Sequence, residues 1–232
     1  SSWVLSQSFN AFGVYPSGIW GTSTNNIWVA GYSSAIKQKV SRLQSNWNYY
    51  DAKTSYNPTG IGGIDGDNVW IISEYGEIAK WNGSQWHLQR GYIGGTIATS
   101  RSSISGKDRN SIYAVFDKVM LRYQDQPDNG YRAASGDPIH SVWANDATHL
   151  WAVGQNGTIL RFEAGWSASP SGTTKHLYRI WGRSSTNAWA VGESGTILKF
   201  DGISWTAPST GQTASFYGVW GDAAKIFAVG DG

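Results

Sequence analysis

Short hydrophobic runs bounded by turn residues fill this chain, and they recur with a period of roughly 38 to 45 residues. The repeat is clearest in the last third. There Trp151-Ala152-Val153-Gly154 returns as Trp189-Ala190-Val191-Gly192, and the same pattern begins again at Phe227-Ala228-Val229-Gly230. Each of the first two copies is followed by Gly-Thr-Ile-Leu, a basic residue and Phe. A period shared along the chain predicts a repeat architecture.

The earlier copies have diverged further, but they keep the same order of features. Trp20 and Trp28 retain the spacing of Trp143 and Trp151. Two later copies of the second run read Val69-Trp70-Ile71-Ile72 and Ile112-Tyr113-Ala114-Val115. The repeat therefore extends over the whole sequence.

Each repeat contains four runs rich in β-branched and aromatic residues, separated by Gly, Asn, Asp and Ser. In the fourth repeat these runs lie at about 140–144, 149–154, 158–163 and 166–169. No segment shows helical spacing over ten residues. The sequence therefore predicts an all-β fold, a β-propeller built from four-stranded antiparallel blades.

Assigning the runs to blades predicts a single propeller domain over residues 1–232. Five blades are complete, and they lie at about 12–53, 59–92, 98–134, 139–170 and 177–209. A sixth is composite or truncated, with two strands in 215–232. Either an N-terminal strand at 2–8 completes that sixth blade, or the natural protein continues with further blades or another domain.

The repeated tryptophans are expected to form the core between adjacent blades, where wedge-shaped space suits large rings. Glycines that end the second run of a repeat are expected to occupy turns with positive φ; they are Gly154, Gly192 and Gly230. Asn156-Gly157 and Ser194-Gly195 are typical of two-residue hairpin turns.

Composition and charge exclude several classes of protein. The chain has 14 tryptophans, no cysteine and a net charge of +2, with 18 basic residues that are scattered. A scattered distribution disfavours nucleic-acid binding, and no apolar run reaches the length of about 18 residues that a membrane helix needs. The absence of cysteine excludes disulfides and thiolate chemistry.

The unit Trp-Ala-Val-Gly-x-x-Gly-Thr-Ile-Leu-x-Phe, followed by Ser-Trp, resembles the repeat of tryptophan-rich bacterial β-propellers of exported and cell-surface proteins. It is also distantly similar to propeller-shaped assembly factors of photosystem II and to sialidase-type Asp-box repeats. The segment 200–205 departs from the Asp-box spacing, however. The resemblance implies a propeller and a secreted or cell-surface location.

Candidate ligand-binding residues lie in the turns between the second and third runs, which differ from repeat to repeat. In a propeller these turns would surround one mouth of the central channel. The residues are Tyr32, Glu74, Tyr75, Asp117, Gln155, Asn156, Glu193 and Asp231. The alternative interpretation is that each is a solvated polar turn.

Nothing in the sequence predicts catalysis, a cofactor or a metal site. The four histidines show no metal-ligand spacing, and no nucleophile elbow is present. Aromatic rings beside amides and carboxylates favour a carbohydrate-binding propeller of lectin or adhesin type, with a glycan as partner. The alternative is a protein-interaction or structural module of a larger surface protein. A third reading is a glycoside-active enzyme, which would need two facing carboxylates.

Overall fold

The computed structural model describes residues 14–23, 25–33, 39–43, 47–90, 102–108, 111–123, 133–134, 136–222 and 224–231. The predicted N-terminal strand at 2–8 lies outside these residues. The chain forms two compact units, Ser1–Ile97 and Ala98–Gly232, which are treated separately below as unit 1 and unit 2.

Unit 1 contains two four-stranded antiparallel sheets, in the orders β1-β2-β3-β4 and β5-β6-β7-β8. The strands of the first sheet are β1 (Val14–Ser23), β2 (Asn26–Ser33), β3 (Lys39–Leu43) and β4 (Trp47–Asp51). Those of the second are β5 (Pro58–Asp65), β6 (Asn68–Ser73), β7 (Ile78–Trp81) and β8 (Trp86–Arg90). Strands that are consecutive in the chain are neighbours in each sheet.

Unit 2 contains three four-stranded sheets and one two-stranded sheet. The first sheet comprises β9 (Ser103–Gly106), β10 (Ile112–Phe116), β11 (Val119–Tyr123) and β12 (Ala133–Ala134). The second comprises β13 (Ile139–Ala144), β14 (Leu150–Gly154), β15 (Ile159–Phe162) and β16 (Trp166–Ala168), with a 3₁₀ turn at Gln155–Gly157. The third comprises β17 (Leu177–Ser184), β18 (Asn187–Gly192), β19 (Ile197–Phe200) and β20 (Trp205–Thr206), and the two-stranded sheet comprises β21 (Phe216–Gly221) and β22 (Ile226–Gly230).

The prediction of an all-β fold with four-stranded antiparallel sheets is confirmed. In three of the four-stranded sheets the second strand is completely buried, since every residue of β6, β10 and β14 is buried. A strand covered on both faces reads as a continuous apolar run, as these three do. No helix among the described residues is long and apolar enough to cross a membrane.

Consecutive sheets are joined by aromatic side chains. Trp151 on β14 packs against both Phe200 and Trp205 of the next sheet, with ring centroids 4.7 and 5.2 Å away. In unit 1, Trp28 on β2 contacts Trp81 and Trp86 in the same way, at 5.2 and 5.7 Å. The predicted core role is therefore confirmed for these second-strand tryptophans, which are almost completely buried.

Two positions depart from this arrangement. Tyr113 occupies the tryptophan position on β10, and it lines a cavity of about 70 Å³ with Phe162 and Trp166 of the next sheet. The smaller ring leaves part of the space unfilled. Trp220 on β21 was expected in the core but is 58% exposed, because no described sheet of its own unit follows β21 and β22.

The glycine prediction was wrong for the residues that end the second strands. Gly154 has an extended backbone with φ −160°. A Cβ there would collide with the carbonyl oxygen of Pro138, and Gly192 and Gly230 face equivalent carbonyls on the following copies. These glycines allow close approach of two backbones. Positive φ is found instead in the predicted hairpin turns, at Asn156-Gly157 and Ser194-Gly195.

Replacing Trp151 by Ala should lower the free energy of unfolding by about 3–5 kcal/mol, because a large buried ring is lost and leaves a cavity. Trp220→Ala is the matched control; its half-exposed ring should cost less than about 1 kcal/mol. Urea unfolding followed by far-UV circular dichroism measures both. Equal losses in the two variants would contradict the packing described here.

Gly154→Ala should destabilise the protein by about 1–3 kcal/mol, because the new methyl group would force the backbones of β13 and β14 apart. Gly165→Ala is the control, since a Cβ at Gly165 meets nothing within 4 Å. Thermal unfolding of the two variants gives the comparison. An unchanged midpoint for Gly154→Ala would mean that the close approach is not needed.

Candidate functional site

A β-bulge lies near the start of the first strand in five of the sheets. The pairing register shifts between Pro16 and Gly18, for example, and between Leu177 and Arg179. The side chains at the bulges are Ser17, Thr59, His140, Tyr178 and Tyr217. Bulges commonly re-aim a side chain next to a functional site.

In unit 2 the bulge side chains form a continuous stack across three sheets. The His140 and Tyr178 rings have centroids 5.7 Å apart, and the Tyr178 and Tyr217 rings are 5.3 Å apart. His140 is buried, and its Nδ1 donates a hydrogen bond to the carbonyl of Leu177 at 2.9 Å. We call His140, Tyr178 and Tyr217 the aromatic row.

Three of the predicted site residues lie beside this row. Gln155, Glu193 and Asp231 each follow the second strand of a sheet. Their backbone N–H groups donate to the carbonyls of Pro138, His176 and Ser215, each at 2.9 Å. Each of these carbonyls is two residues before a member of the aromatic row, so one polar turn residue accompanies each ring. We call this end of the unit 2 sheets the row edge.

The side chains of the turn residues present hydrogen-bond acceptors at the row edge. Oδ2 of Asp231 accepts from the Tyr217 hydroxyl at 2.8 Å, and Oε2 of Glu193 accepts from the backbone N–H of His176 at 3.3 Å. Within the described residues, Oδ1 of Asp231, Oε1 of Glu193 and the Gln155 amide make no hydrogen bond. These groups can therefore receive donors from a ligand.

Asn156 and Asp117 fix turns at the same edge. Asn156 adopts φ 53°, and its Nδ2 donates to Oδ1 of Asp137 at 3.0 Å. Its backbone N–H donates to Nδ1 of His176 at 3.1 Å. The carbonyl of Asp117 accepts from the N–H of Ile139 at 2.7 Å. These bonds give Asn156 and the Asp117 backbone a structural role.

The three remaining predicted residues lie in unit 1. Oε1 of Glu74 accepts from the backbone N–H of Asn57 at 3.3 Å. Tyr32 stacks on Tyr15 with centroids 5.1 Å apart, and Tyr75 packs on Tyr56 at 4.1 Å. The structure thus brings Gln155, Glu193 and Asp231 to one edge, while Tyr32, Glu74 and Tyr75 belong to a separate unit.

Sequence reasoning missed the aromatic row itself. Its members lie three residues before Trp143, Trp181 and Trp220, so aligning the repeats on these tryptophans would have placed His140, Tyr178 and Tyr217 in one column. The bulge that reorients these side chains cannot be read from the sequence, because a bulge depends on how two strands pair.

Ionisable groups elsewhere serve turns. Asp146 lies between β13 and β14 and accepts hydrogen bonds from Thr148 and His149. Although desolvation acts in the opposite direction, these bonds together with one from Asn145 hold the pKa of Asp146 well below its usual range. Within the described residues, no group of three or more His, Asp or Glu side chains could hold a metal ion.

The bond between Tyr217 and Asp231 predicts a pH dependence. Hydrogen bonding to the Asp231 carboxylate raises the pKa of Tyr217, because the phenol must stay protonated to donate. The bond is complete at neutral pH and is lost as the pH rises through that raised value. The alkaline ultraviolet titration of the protein minus that of Tyr217→Phe should show a phenol ionising above the usual value of about 10. Asp231→Asn should return it to that value; a difference titration centred at or below the usual value would contradict the bond.

No protein-family model matches the chain, and no curated protein is similar to it in sequence. Several solved structures are similar in fold. YCF48 from Cyanidioschyzon merolae has a TM-score of 0.68 and 16% identity, over 90% of this chain and 75% of that chain. YCF48 bound to D1 peptide gives 0.69 and 14%, over 99% and 78%. The WD40 β-propeller domain of Doa1 gives 0.68 and 8%, over 88% and 71%. At these identities the likeness concerns the fold alone: the chain is an all-β protein similar in fold to β-propellers.

Proposed function

We propose that this chain is a non-catalytic β-propeller module that binds an extended segment of a partner protein along the row edge. In this proposal the five four-stranded sheets are complete blades, and β21 and β22 belong to a sixth. The turns and bulges on the blades then supply the ligand contacts, while the aromatic core only supports them.

The observation that carries the proposal is the linear form of the site. Successive rings of the aromatic row are 5.7 and 5.3 Å apart, and each has a polar turn residue beside it. In an extended polypeptide, side chains on one face recur every ~6.7 Å, because each residue advances about 3.3 Å. Tyr178 and Tyr217, which are only partly buried, offer neighbouring subsites at nearly this spacing and so suit an extended chain, while the buried His140 supports one end of the row.

The fold comparison supports the same proposal. One propeller of similar fold is YCF48 bound to D1 peptide, so this architecture can hold a peptide. Propellers serve many functions, and the likeness gives no ligand for this chain. The specific support comes from the row edge.

Carbohydrate binding stays a prediction, and it would use a different surface, in unit 1. Two tyrosine pairs of unit 1, Tyr15 with Tyr32 and Tyr56 with Tyr75, are partly exposed, and Tyr15 is 52% exposed. Sugar rings can stack on such faces. The secreted or cell-surface location implied by the repeat is a further part of this proposal, and it suits either type of ligand.

A library of random dodecapeptides displayed on phage should yield binders to the immobilised protein, and a glycan array should be probed in parallel. Tyr178→Ala and Tyr217→Ala should each weaken a selected peptide about threefold to tenfold, because an aromatic contact is lost. Ile203→Ala is the control: its side chain is 91% exposed in the turn between β19 and β20, away from the row edge.

Circular dichroism melts of all three variants separate loss of binding from loss of folding. Peptides that bind folded wild type and folded row variants equally would overturn the row edge as the site. Enrichment of glycans with no peptide binder would overturn the proposed function in favour of carbohydrate binding.

A further inference from the structure

We infer that the row edge selects a partner segment carrying arginine or lysine, whose cation lies against the tyrosine rings of the aromatic row and pairs with Glu193 and Asp231. This inference rests on the proposed function and adds the chemistry of the partner. It follows from the charges at the edge, from the acceptors available there and from the pairing of cations with rings elsewhere in the chain.

The row edge is acidic although the whole chain is slightly basic. The sequence carries a net charge of +2. Among the described residues, the turns and strand starts at this edge hold four carboxylates, those of Asp117, Asp137, Glu193 and Asp231, against three cationic side chains, those of Lys118, Lys175 and Arg179. The local excess of negative charge attracts a basic segment and repels an acidic one.

The carboxylates at the row edge differ in how many of their oxygens accept hydrogen bonds from described residues. Both oxygens of Asp137 accept hydrogen bonds, from Asn156 and Thr158. Glu193 and Asp231 each use one oxygen, for His176 and Tyr217 respectively, and the other oxygen makes no bond to a described residue. Glu193 and Asp231, the two that follow the strands paired with the tyrosine-bearing strands, therefore each keep one carboxylate oxygen able to pair with a cation from a partner.

The aromatic rings at this edge provide the second half of the recognition. Tyr217 donates its hydroxyl to Asp231, which holds a ring and a carboxylate side by side. A guanidinium group can stack on the face of a tyrosine while its N–H groups bind a carboxylate. Glu193 has the equivalent place in the repeat with respect to Tyr178, since its N–H bonds to a carbonyl two residues before that tyrosine.

The chain already uses cations over aromatic faces within its own sheets. Arg161 lies over Trp151 at 5.2 Å, and Lys199 lies over Trp189 at 5.4 Å. Lys80 lies over Trp70 at 5.2 Å in unit 1. In each case a cation from the third strand crosses to a ring on the second strand. At the row edge the rings belong to first strands, and the partner supplies the cation.

The test uses fluorescein-labelled heptapeptides of the form Ser-Gly-Xaa-Gly-Xaa-Gly-Ser, in which Xaa is Arg, Lys, Gln or Glu. The two Xaa side chains lie on one face of an extended chain, ~6.7 Å apart. Fluorescence polarisation against the full chain should show tightest binding for Arg. The Gln peptide should bind about tenfold more weakly, because it lacks both the charge pairing and the cation–π contact. The Glu peptide should show no binding.

Variants assign the effect to the carboxylates. Asp231→Asn and Glu193→Gln should each weaken the Arg peptide about fivefold and should not weaken the Gln peptide. Tyr217→Phe keeps the ring and should retain binding within about twofold of the wild type. Asp222→Asn is the matched control, because Asp222 caps the turn between β21 and β22 at the opposite end of the same sheet as Asp231.

The outcomes separate this inference from the proposed function. Equal binding of the Arg and Gln peptides, or library-selected peptides that keep full affinity when their basic residues become Gln, would overturn the inference and leave peptide binding intact. No binding of the Arg peptide up to about 1 mM, together with selected peptides free of Arg and Lys, would also overturn it. Failure of every peptide, with glycans bound instead, would overturn both.

Discussion

The packing of a second-strand ring against two aromatic side chains of the next sheet holds consecutive sheets together in each unit. Trp28 makes this contact in unit 1 and Trp151 makes it in unit 2. Twisted sheets that pack face to face leave a gap of uneven width, and a large flat ring fills such a gap with little loss of conformational entropy. Tyr113 shows the converse, because the smaller ring at the same position borders a cavity. The relative position of the first strands, and with it the row edge, depends on this contact.

Two further constraints convert this packing into a defined edge. The glycine that ends β14, β18 and β22 brings the following turn against the start of the first strand, and Gly154 does so with an extended backbone. The next residue then donates its N–H to that strand, as Gln155 does to Pro138. Because the glycine and this hydrogen bond recur in the last three repeats, the turn residues of consecutive sheets fall at equivalent places. A surface of regularly spaced polar groups is therefore a direct consequence of a repeated core.

The sequence predicted the strands and the sheet type well, because hydrophobic runs and turn residues are local signals. The run 149–154 locates β14 (Leu150–Gly154) to within a residue. Sequence reasoning failed where a residue's role depends on a contact with a residue that is remote in the chain. Gly154 resembled a turn glycine, yet the atom that excludes a side chain there is the carbonyl oxygen of Pro138. Three predicted turn residues do lie at the row edge, but the rings beside them depend on bulges, which are properties of strand pairs.

The bulge positions of the two units carry different side chains, which shows that the fold does not require a particular residue there. In unit 1 the bulge side chains are small hydroxyls bonded to backbone carbonyls: Ser17 donates to Pro58 at 2.5 Å, and Thr59 donates to Ile72 at 3.3 Å. In unit 2 the same position holds an imidazole and two phenols. The fold therefore accepts a side chain of almost any size at the bulge, whereas the second-strand ring between the sheets is kept in both units. A position that the fold leaves open, and that three consecutive sheets fill with stacked polar rings, has the properties expected of a binding surface.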